Sequence, residues 1–240
     1  MPEATESKPS DAPAARPRKP GSRAPMSRRA YEAVKRRILD NDIPGGAHVL
    51  EEELAQMLGM SRTPIREALV QLEKDGLIEL VPRRGMRVLA LSPDDIRHVY
   101  DLLQCLESHA AALAARHRDH RRIAARLDAP IGGMRAALEA DDLRGWAEAN
   151  ERFHRTLVDS CGNPRLAQMA YTLLDQSHRV RTFTVRLRAR PVRSTDNHAA
   201  TVDAIRDGDP GRAAGIHEAH KGEWMVEMDR LMAEFNIKML

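Results

Sequence analysis

Four side chains in the second half of the 240-residue chain have the types and the spacing of a metal site. Asn150 and His154 lie four residues apart, so a helix projects both from one face, beside the apolar Phe153. His198 and His220 follow, 22 residues apart. Three imidazoles and an amide oxygen could bind a divalent cation inside a helical bundle. The remaining histidines are interpreted as exposed or packing residues: His48, His98, His109, His117, His120, His178 and His217. On spacing alone, ordinary core packing explains the four residues named first better than metal binding does.

A second group of polar side chains is typical of a helix that contacts DNA. Gly59 permits a sharp turn, and Ser61 is a favourable N-cap for the helix that follows. The first turn of that helix carries Ser61, Arg62, Thr63 and Arg66. Arginine can bond guanine through both arms of its guanidinium, and serine or threonine can bond phosphate. Since Ile65, Ala68 and Leu69 would face the core, the arginines are expected to point outward.

The elements around this helix predict a winged helix-turn-helix. The helical spacing of apolar residues predicts helices over 27–40, 51–58 and 61–75. Two short apolar runs, 77–81 and 86–89, flank a tip made of Pro82, Arg83, Arg84 and Gly85. This pattern indicates a β-hairpin with a basic tip. Three helices and such a hairpin are expected to fold over 28–90 as a DNA-binding domain.

From Ser92 onward the pattern is helical throughout. Ser92 and Pro93 are suited to the first positions of a helix. Predicted helices follow at 93–117, 119–139, 142–161, 163–188, 194–207 and 210–235. The fold class is therefore mainly α, an N-terminal winged helix-turn-helix plus a C-terminal all-α six-helix bundle over 91–240. The Pro-rich residues 1–27 lack apolar periodicity, and a disordered tail is predicted there.

Composition narrows the function without assigning it. Hydrophobic residues make up 42%, and the 3% aromatic content argues against a stacking platform for single strands. Residues 1–29 carry seven basic and three acidic side chains, whereas 30–90 carry nine and ten. The basic excess is thus in the tail, so the motif rather than the charge must predict DNA binding. Two isolated cysteines, and the lack of an apolar run long enough for a membrane span, predict a cytoplasmic protein without a membrane partner.

The run SRTPIREAL at 61–69 resembles the hallmark of the GntR family of bacterial regulators. The resemblance covers about 28–90 and includes Gly76 and the tip of the hairpin. It implies that DNA is contacted by Ser61, Arg62, Thr63, Arg66, Arg83, Arg84 and Gly85, with Gly85 letting the wing approach the minor groove. Some members of the family have an arginine where this chain has Glu52, so a DNA contact by an arginine at this position is not expected here.

The stretch from Asn150 to Leu157, with Gly162-Asn163-Pro164 after it, resembles the FCD effector domain of the FadR-like branch. The resemblance implies that Asn150, His154, His198 and His220 bind a divalent metal ion, most often Zn²⁺ or Ni²⁺. Asn150 replaces the aspartate of many members, which lowers the expected affinity. Leu103 replaces an effector-binding arginine. Arg179, Arg181 and Arg186 are candidate counter-charges, although the sequence favours solvated surface arginines at all three positions.

These patterns predict a homodimeric repressor that binds a palindromic operator and is released by a small metabolite, a carboxylate, bound at the metal. One alternative is a metal-dependent hydrolase fused to a DNA-binding domain. The sequence has no HExxH, GxSxG or P-loop motif, and Glu151, the nearby candidate base, points away from the metal face. The protein is therefore not expected to be an enzyme. The other alternative is an architectural DNA binder without a ligand.

Overall fold

The computed structural model describes residues 25–240. The predicted tail lies outside this range except for its last three residues, of which Met26 and Ser27 already belong to the first helix. Six elements form the N-terminal part: α1 Met26–Leu39, β1 His48–Val49, α2 Glu51–Leu58, α3 Arg62–Lys74, β2 Ile78–Val81 and β3 Gly85–Val88. The strands pair antiparallel in the order β1-β3-β2, with Val81 opposite Gly85 and His48 opposite Arg87. This arrangement is the predicted winged helix-turn-helix.

Buried apolar faces hold these elements together. Ala30, Val34 and Ile38 recur along one face of α1 and are fully buried. They pack in one cluster with the inner faces of α3 and the hairpin, including Leu69 and Met86. The opposite face of α3 is thereby left to solvent.

Six helices complete the described chain: α4 Pro93–Arg116, α5 His120–Glu139, α6 Leu143–Ser160, α7 Pro164–Thr184, α8 Val192–Arg206 and α9 Pro210–Glu234. Ser92 caps α4 by accepting a hydrogen bond from the Asp95 amide at 3.1 Å. The bundle core includes Leu103, Trp146 and Phe153. Among the described residues, no helix is long and apolar enough to cross a membrane.

The two parts of the chain are joined around Arg179 of α7. Its guanidinium donates to the carbonyl oxygens of Leu89 at 2.7 Å and Leu240 at 2.9 Å. The backbones of Leu91 and Leu240 exchange two hydrogen bonds, at 2.7 and 3.0 Å. Arg179 is buried and binds main-chain atoms at this joint, so both the favoured prediction of a solvated surface arginine and the counter-charge candidate are wrong for it.

Candidate functional site

A cluster of polar side chains lies inside the bundle. Helix α6 contributes Asn150 and His154, α8 contributes His198, and α9 contributes His217 and His220. His220 is half-buried, and the other four side chains are buried. The Nε2 atom of His198 lies 2.8 Å from Oδ1 of Asn150. Ring centres are 4.9 Å apart for His154 and His198, and 4.6 Å apart for His198 and His220. The four residues singled out in the sequence thus lie together, and their role as metal ligands remains a prediction.

Three further members of the cluster were missed in the sequence. Glu107 of α4 is fully buried, and its Oε1 atom lies 2.5 Å from Nδ1 of His154. Its Oε2 atom lies 2.5 Å from Nζ of Lys221 and 3.7 Å from Nε2 of His217. Ligand atoms of Glu107, His154 and His217 are within 4.8 Å of one another, a group that could hold a metal ion. His217 is completely buried beside a carboxylate, so it belongs to the cluster rather than to ordinary packing.

Sequence signals for these residues existed. Glu107 falls on the otherwise apolar, alanine-rich face of α4, where a charged group requires a buried partner. His217 precedes His220 by one helical turn, and Lys221 follows His217 at four residues, so all three share one side of α9.

Burial determines the protonation of the cluster. It lowers the pKa of His154 to about 3, and it also lowers the pKa values of His198, His217 and His220. The imidazoles are therefore neutral near pH 7 and can offer a lone pair to a cation. Burial alone would raise the pKa of Glu107, but its cationic neighbours hold that pKa well below the ordinary value. Since His154 is neutral, we assign Lys221 as the charge that balances Glu107.

The cluster has the properties that a cation requires. Within the described part of the chain, Nδ1 of His198 and both ring nitrogens of His217 are buried without a hydrogen-bond partner. Buried polar atoms are normally satisfied, so an additional bound group fits this arrangement. Imidazole nitrogens with one amide oxygen suit a transition metal such as Zn²⁺ or Ni²⁺ better than Ca²⁺ or Mg²⁺.

A small cavity of about 20 Å³ adjoins the cluster. Asn150, His154 and His220 line one part of it, and the cationic side chains Arg181, Arg188 and Lys221 line another. The volume holds about one water molecule. Arg181 is buried and donates to Glu151 at 2.9 Å.

The candidate counter-charges differ in their positions. Arg181 is a cavity residue and not a surface arginine, whereas Arg186 is exposed. Arg188 was not among the candidates, yet its guanidinium lies 4.3 Å from the ring centre of Trp224 beside the cavity. The aromatic ring holds that charge in place through a cation–π contact.

The predicted DNA-contacting residues lie on one surface. Ser61, Arg62, Thr63, Arg66, Arg83 and Arg84 are exposed, and Gly85 is half-buried. A cleft of about 540 Å³ between α3 and the hairpin is lined by residues that include Arg62, Arg66, Arg83 and Gly85. Two arms of the Arg66 guanidinium donate to the carboxylate of Glu51, at 3.2 and 2.9 Å. The Ser61 hydroxyl makes no capping hydrogen bond and is free to meet a phosphate.

Gly85 has a structural role that the sequence did not reveal. Its φ is +75°, and a Cβ atom there would lie 2.3 Å from the carbonyl oxygen of Val49. The hairpin can approach β1 only with glycine at this position.

Comparison with known proteins agrees with this architecture. Residues 26–88 match the model for "Bacterial regulatory proteins, gntR family", and residues 98–222 match the FCD domain. A transcriptional regulator from the ttuE-ttuC′ intergenic region of Agrobacterium vitis is 44% identical over 141 residues, covering 54% of this chain and 77% of that protein. The transcriptional repressor GlaR of Escherichia coli is 29% identical over 196 residues, covering 77% and 89%. The structure of E. coli McbR/YncC superposes with a TM-score of 0.76 at 18% identity, covering 87% of this chain and 99% of that one, which shows a shared fold.

A winged helix-turn-helix followed by a helical effector bundle defines a ligand-responsive DNA-binding regulator of transcription. The chain belongs to the GntR family and carries an FCD domain. It is a regulator of transcription and not an enzyme.

Proposed function

We propose that the protein is a homodimeric repressor that releases its operator when a small carboxylate binds at a metal ion in the FCD bundle. One observation carries the proposal: three of the proposed ligands, Asn150, His154 and His220, line a cavity that three cationic side chains also line. An anion that enters this cavity meets Arg181, Arg188 and Lys221. Desolvated cations favour a carboxylate strongly in such a setting.

The proposed metal site consists of Asn150, His154, His198 and His220. Zn²⁺ or Ni²⁺ suits these donors, and the bound ion would offer open coordination positions to a carboxylate oxygen. Asn150 and His198 hold their donor atoms side by side, and burial keeps the imidazoles neutral for binding. The neutral amide of Asn150 predicts a weaker site than an aspartate would give.

The proposed DNA target is an inverted repeat. A single recognition helix contacts only a few base pairs, so two copies related by a two-fold axis would contact two half-sites. The repressor names of GlaR and RspR, relatives from E. coli, support repression as the sign of regulation. A regulator that acts on chromosomal DNA in a bacterium would work in the cytoplasm, which is the location we propose.

Metabolite binding requires the cavity to enlarge. At about 20 Å³ it is far smaller than pockets for small molecules, which measure a few hundred cubic ångströms. We propose that opening of the bundle shifts the relative positions of the two DNA-binding domains. A bundle that never opens would instead correspond to an architectural DNA binder.

The proposal is tested by elemental analysis of the purified protein and by thermal unfolding in the presence of a panel of small organic acids. We expect close to one Zn²⁺ or Ni²⁺ per chain, and a higher melting temperature with one class of acid. His198→Ala should lose the metal, whereas His109→Ala, at an exposed position on α4, should retain it. Full metal occupancy in His198→Ala would contradict the ligand set. A melting temperature that no acid changes would favour the architectural alternative.

A further inference from the structure

We propose that Glu107 is a positioning residue of the metal site, which orients His154 and raises its basicity as a ligand. This inference rests on the proposed metal site and assigns a role to a residue outside it. Helix α4 provides none of the four proposed ligands, yet it places a fully buried carboxylate within the cluster.

The orientation of His154 follows from its contact with Glu107. Nδ1 of His154 lies 2.5 Å from Oε1 of Glu107. A carboxylate at Nδ1 favours the tautomer with the proton on Nδ1, which leaves the lone pair of Nε2 for a metal ion. Although Nδ1 of His154 and Oε1 of Glu107 are close, the described structure does not align them as a hydrogen bond.

The charge of the cluster gives Glu107 its second role. The proposed ligands are one amide and three neutral imidazoles, so they bring no charge to a dication. Among the described residues of the cluster, Glu107 is the carboxylate, and a buried negative charge attracts a cation strongly. Because Lys221 balances the charge of Glu107 over the whole cluster, Glu107 acts on the ion through His154, since a carboxylate at Nδ1 makes the imidazole a more basic ligand.

Lys221 explains why Glu107 would position a ligand and not become one. The ammonium of Lys221 lies 2.5 Å from Oε2, the carboxylate oxygen that is not in contact with Nδ1 of His154. A metal ion at that oxygen would have to displace a buried cation. The arrangement leaves Oε1 to His154 and Oε2 to Lys221.

The experiment combines Zn²⁺ affinity with the tautomer of His154. Affinity is measured by competition with a chromogenic chelator, and the tautomer by ¹⁵N NMR of the metal-free protein. In the wild type we expect the His154 proton on Nδ1. Glu107→Gln should give a mixture of tautomers and weaken Zn²⁺ binding by about 10- to 100-fold.

Two further variants separate these effects from misfolding. Glu107→Gln leaves Lys221 buried without a partner, so the double variant Glu107→Gln/Lys221→Met keeps the cluster neutral and should retain the fold. Adding Asn150→Asp to this double variant restores a carboxylate. We expect it to recover much of the Zn²⁺ affinity while the tautomers of His154 stay mixed.

The outcomes distinguish this inference from the proposed function. If the neutral double variant bound Zn²⁺ as tightly as the wild type does, the role of Glu107 would be overturned and the metal site would stand. A His154 proton found on Nε2 in the wild type would overturn its orienting role. Wild type that binds neither Zn²⁺ nor Ni²⁺ would overturn the metal site and this inference together.

Discussion

At the scale of single residues, Arg66 is the side chain whose replacement most directly tests DNA recognition. It is exposed on α3, and its guanidinium is held in a two-armed ion pair with Glu51. We expect this ion pair to orient the remaining guanidinium donors of Arg66 toward the major groove. Arg66→Ala should weaken binding to a DNA site selected by the wild type by about 10- to 100-fold, as measured by fluorescence anisotropy.

Arg230→Ala provides the matched control for this measurement. Arg230 is exposed and ion-paired on α9, in the FCD bundle, so its loss should leave DNA affinity unchanged. Equal affinity of Arg66→Ala and wild type would show that this arginine contacts neither base nor phosphate.

The buried imidazoles predict a loss of stability in weak acid. Burial lowers the pKa values of His154, His198, His217 and His220 below those of the unfolded chain. Their contribution is fully present above pH 6.5. As the pH falls below that value, the unfolded chain takes up protons that the folded protein does not, so the free energy of unfolding decreases. Each histidine contributes up to about 1.4 kcal/mol per pH unit.

Urea unfolding of the metal-free protein at pH 7, 6 and 5 measures this dependence. The variant His217→Asn removes one titrating group and should show a shallower loss of stability. An unfolding free energy that stays constant from pH 7 to pH 5 would mean that the imidazoles become protonated in the folded state.

The sequence predicted part of this cluster, for a physical reason. The 3.6-residue period of a helix shows that Asn150 and His154 share a face. It contains no information on which other helix faces that pair. Glu107 and His217 each carry a local signal, but neither signal shows that the two side chains meet His154, which depends on the packing of α4 against both α6 and α9.

At the scale of elements, the hairpin depends on one glycine. Gly85→Ala would strain a φ of +75° and press a Cβ atom against the Val49 carbonyl at 2.3 Å. We expect a loss of at least about 1 kcal/mol in the free energy of unfolding, as measured by urea denaturation. Gly46→Ala is the control, since Gly46 has a φ of +79° but no atom within 4 Å of its Cβ position. A similar loss in both variants would mean that φ alone, and not the approach of β1, requires glycine.

Element boundaries were predicted well where capping residues mark them and less well elsewhere. Helix α4 begins at Pro93 after the Ser92 cap, as predicted. Helix α7 ends at Thr184, although apolar periodicity predicted an end at 188. Beyond Thr184 the chain makes a tighter turn, in which the Leu187 amide donates to the Thr184 carbonyl at 2.9 Å.

At the scale of the whole molecule, buried ion pairs connect α1 to the bundle. Nζ of Lys35 on α1 lies 2.6 Å from Oδ2 of Asp175 on α7, and Arg155 of α6 binds the other oxygen of that carboxylate. Asp40, just after α1, accepts a hydrogen bond from Arg144 at 3.0 Å. These contacts join residues far apart in sequence, so the relative placement of the two parts could not be predicted from the sequence.

Asp175→Asn should loosen this connection. It leaves the half-buried cations Lys35 and Arg155 without their shared carboxylate. We expect a loss of about 1–3 kcal/mol, below the range for fully buried pairs, because both cations stay partly solvated and Arg155 keeps Glu151. Calorimetry should show a lower melting temperature, and amide hydrogen exchange should quicken along α1. Unchanged exchange in α1 would show that the joint around Arg179 suffices to hold it.

The size of the cavity beside the cluster also affects the rate at which the proposed metabolite could bind. A space of about 20 Å³ is too small for a metabolite, so the proposed binding would follow a fluctuation that opens the bundle. The rate of the response would then level off as the metabolite becomes abundant, at a ceiling equal to the frequency of that fluctuation. Pulses of metabolite that are short compared with the time between two openings of the bundle would then change transcription little.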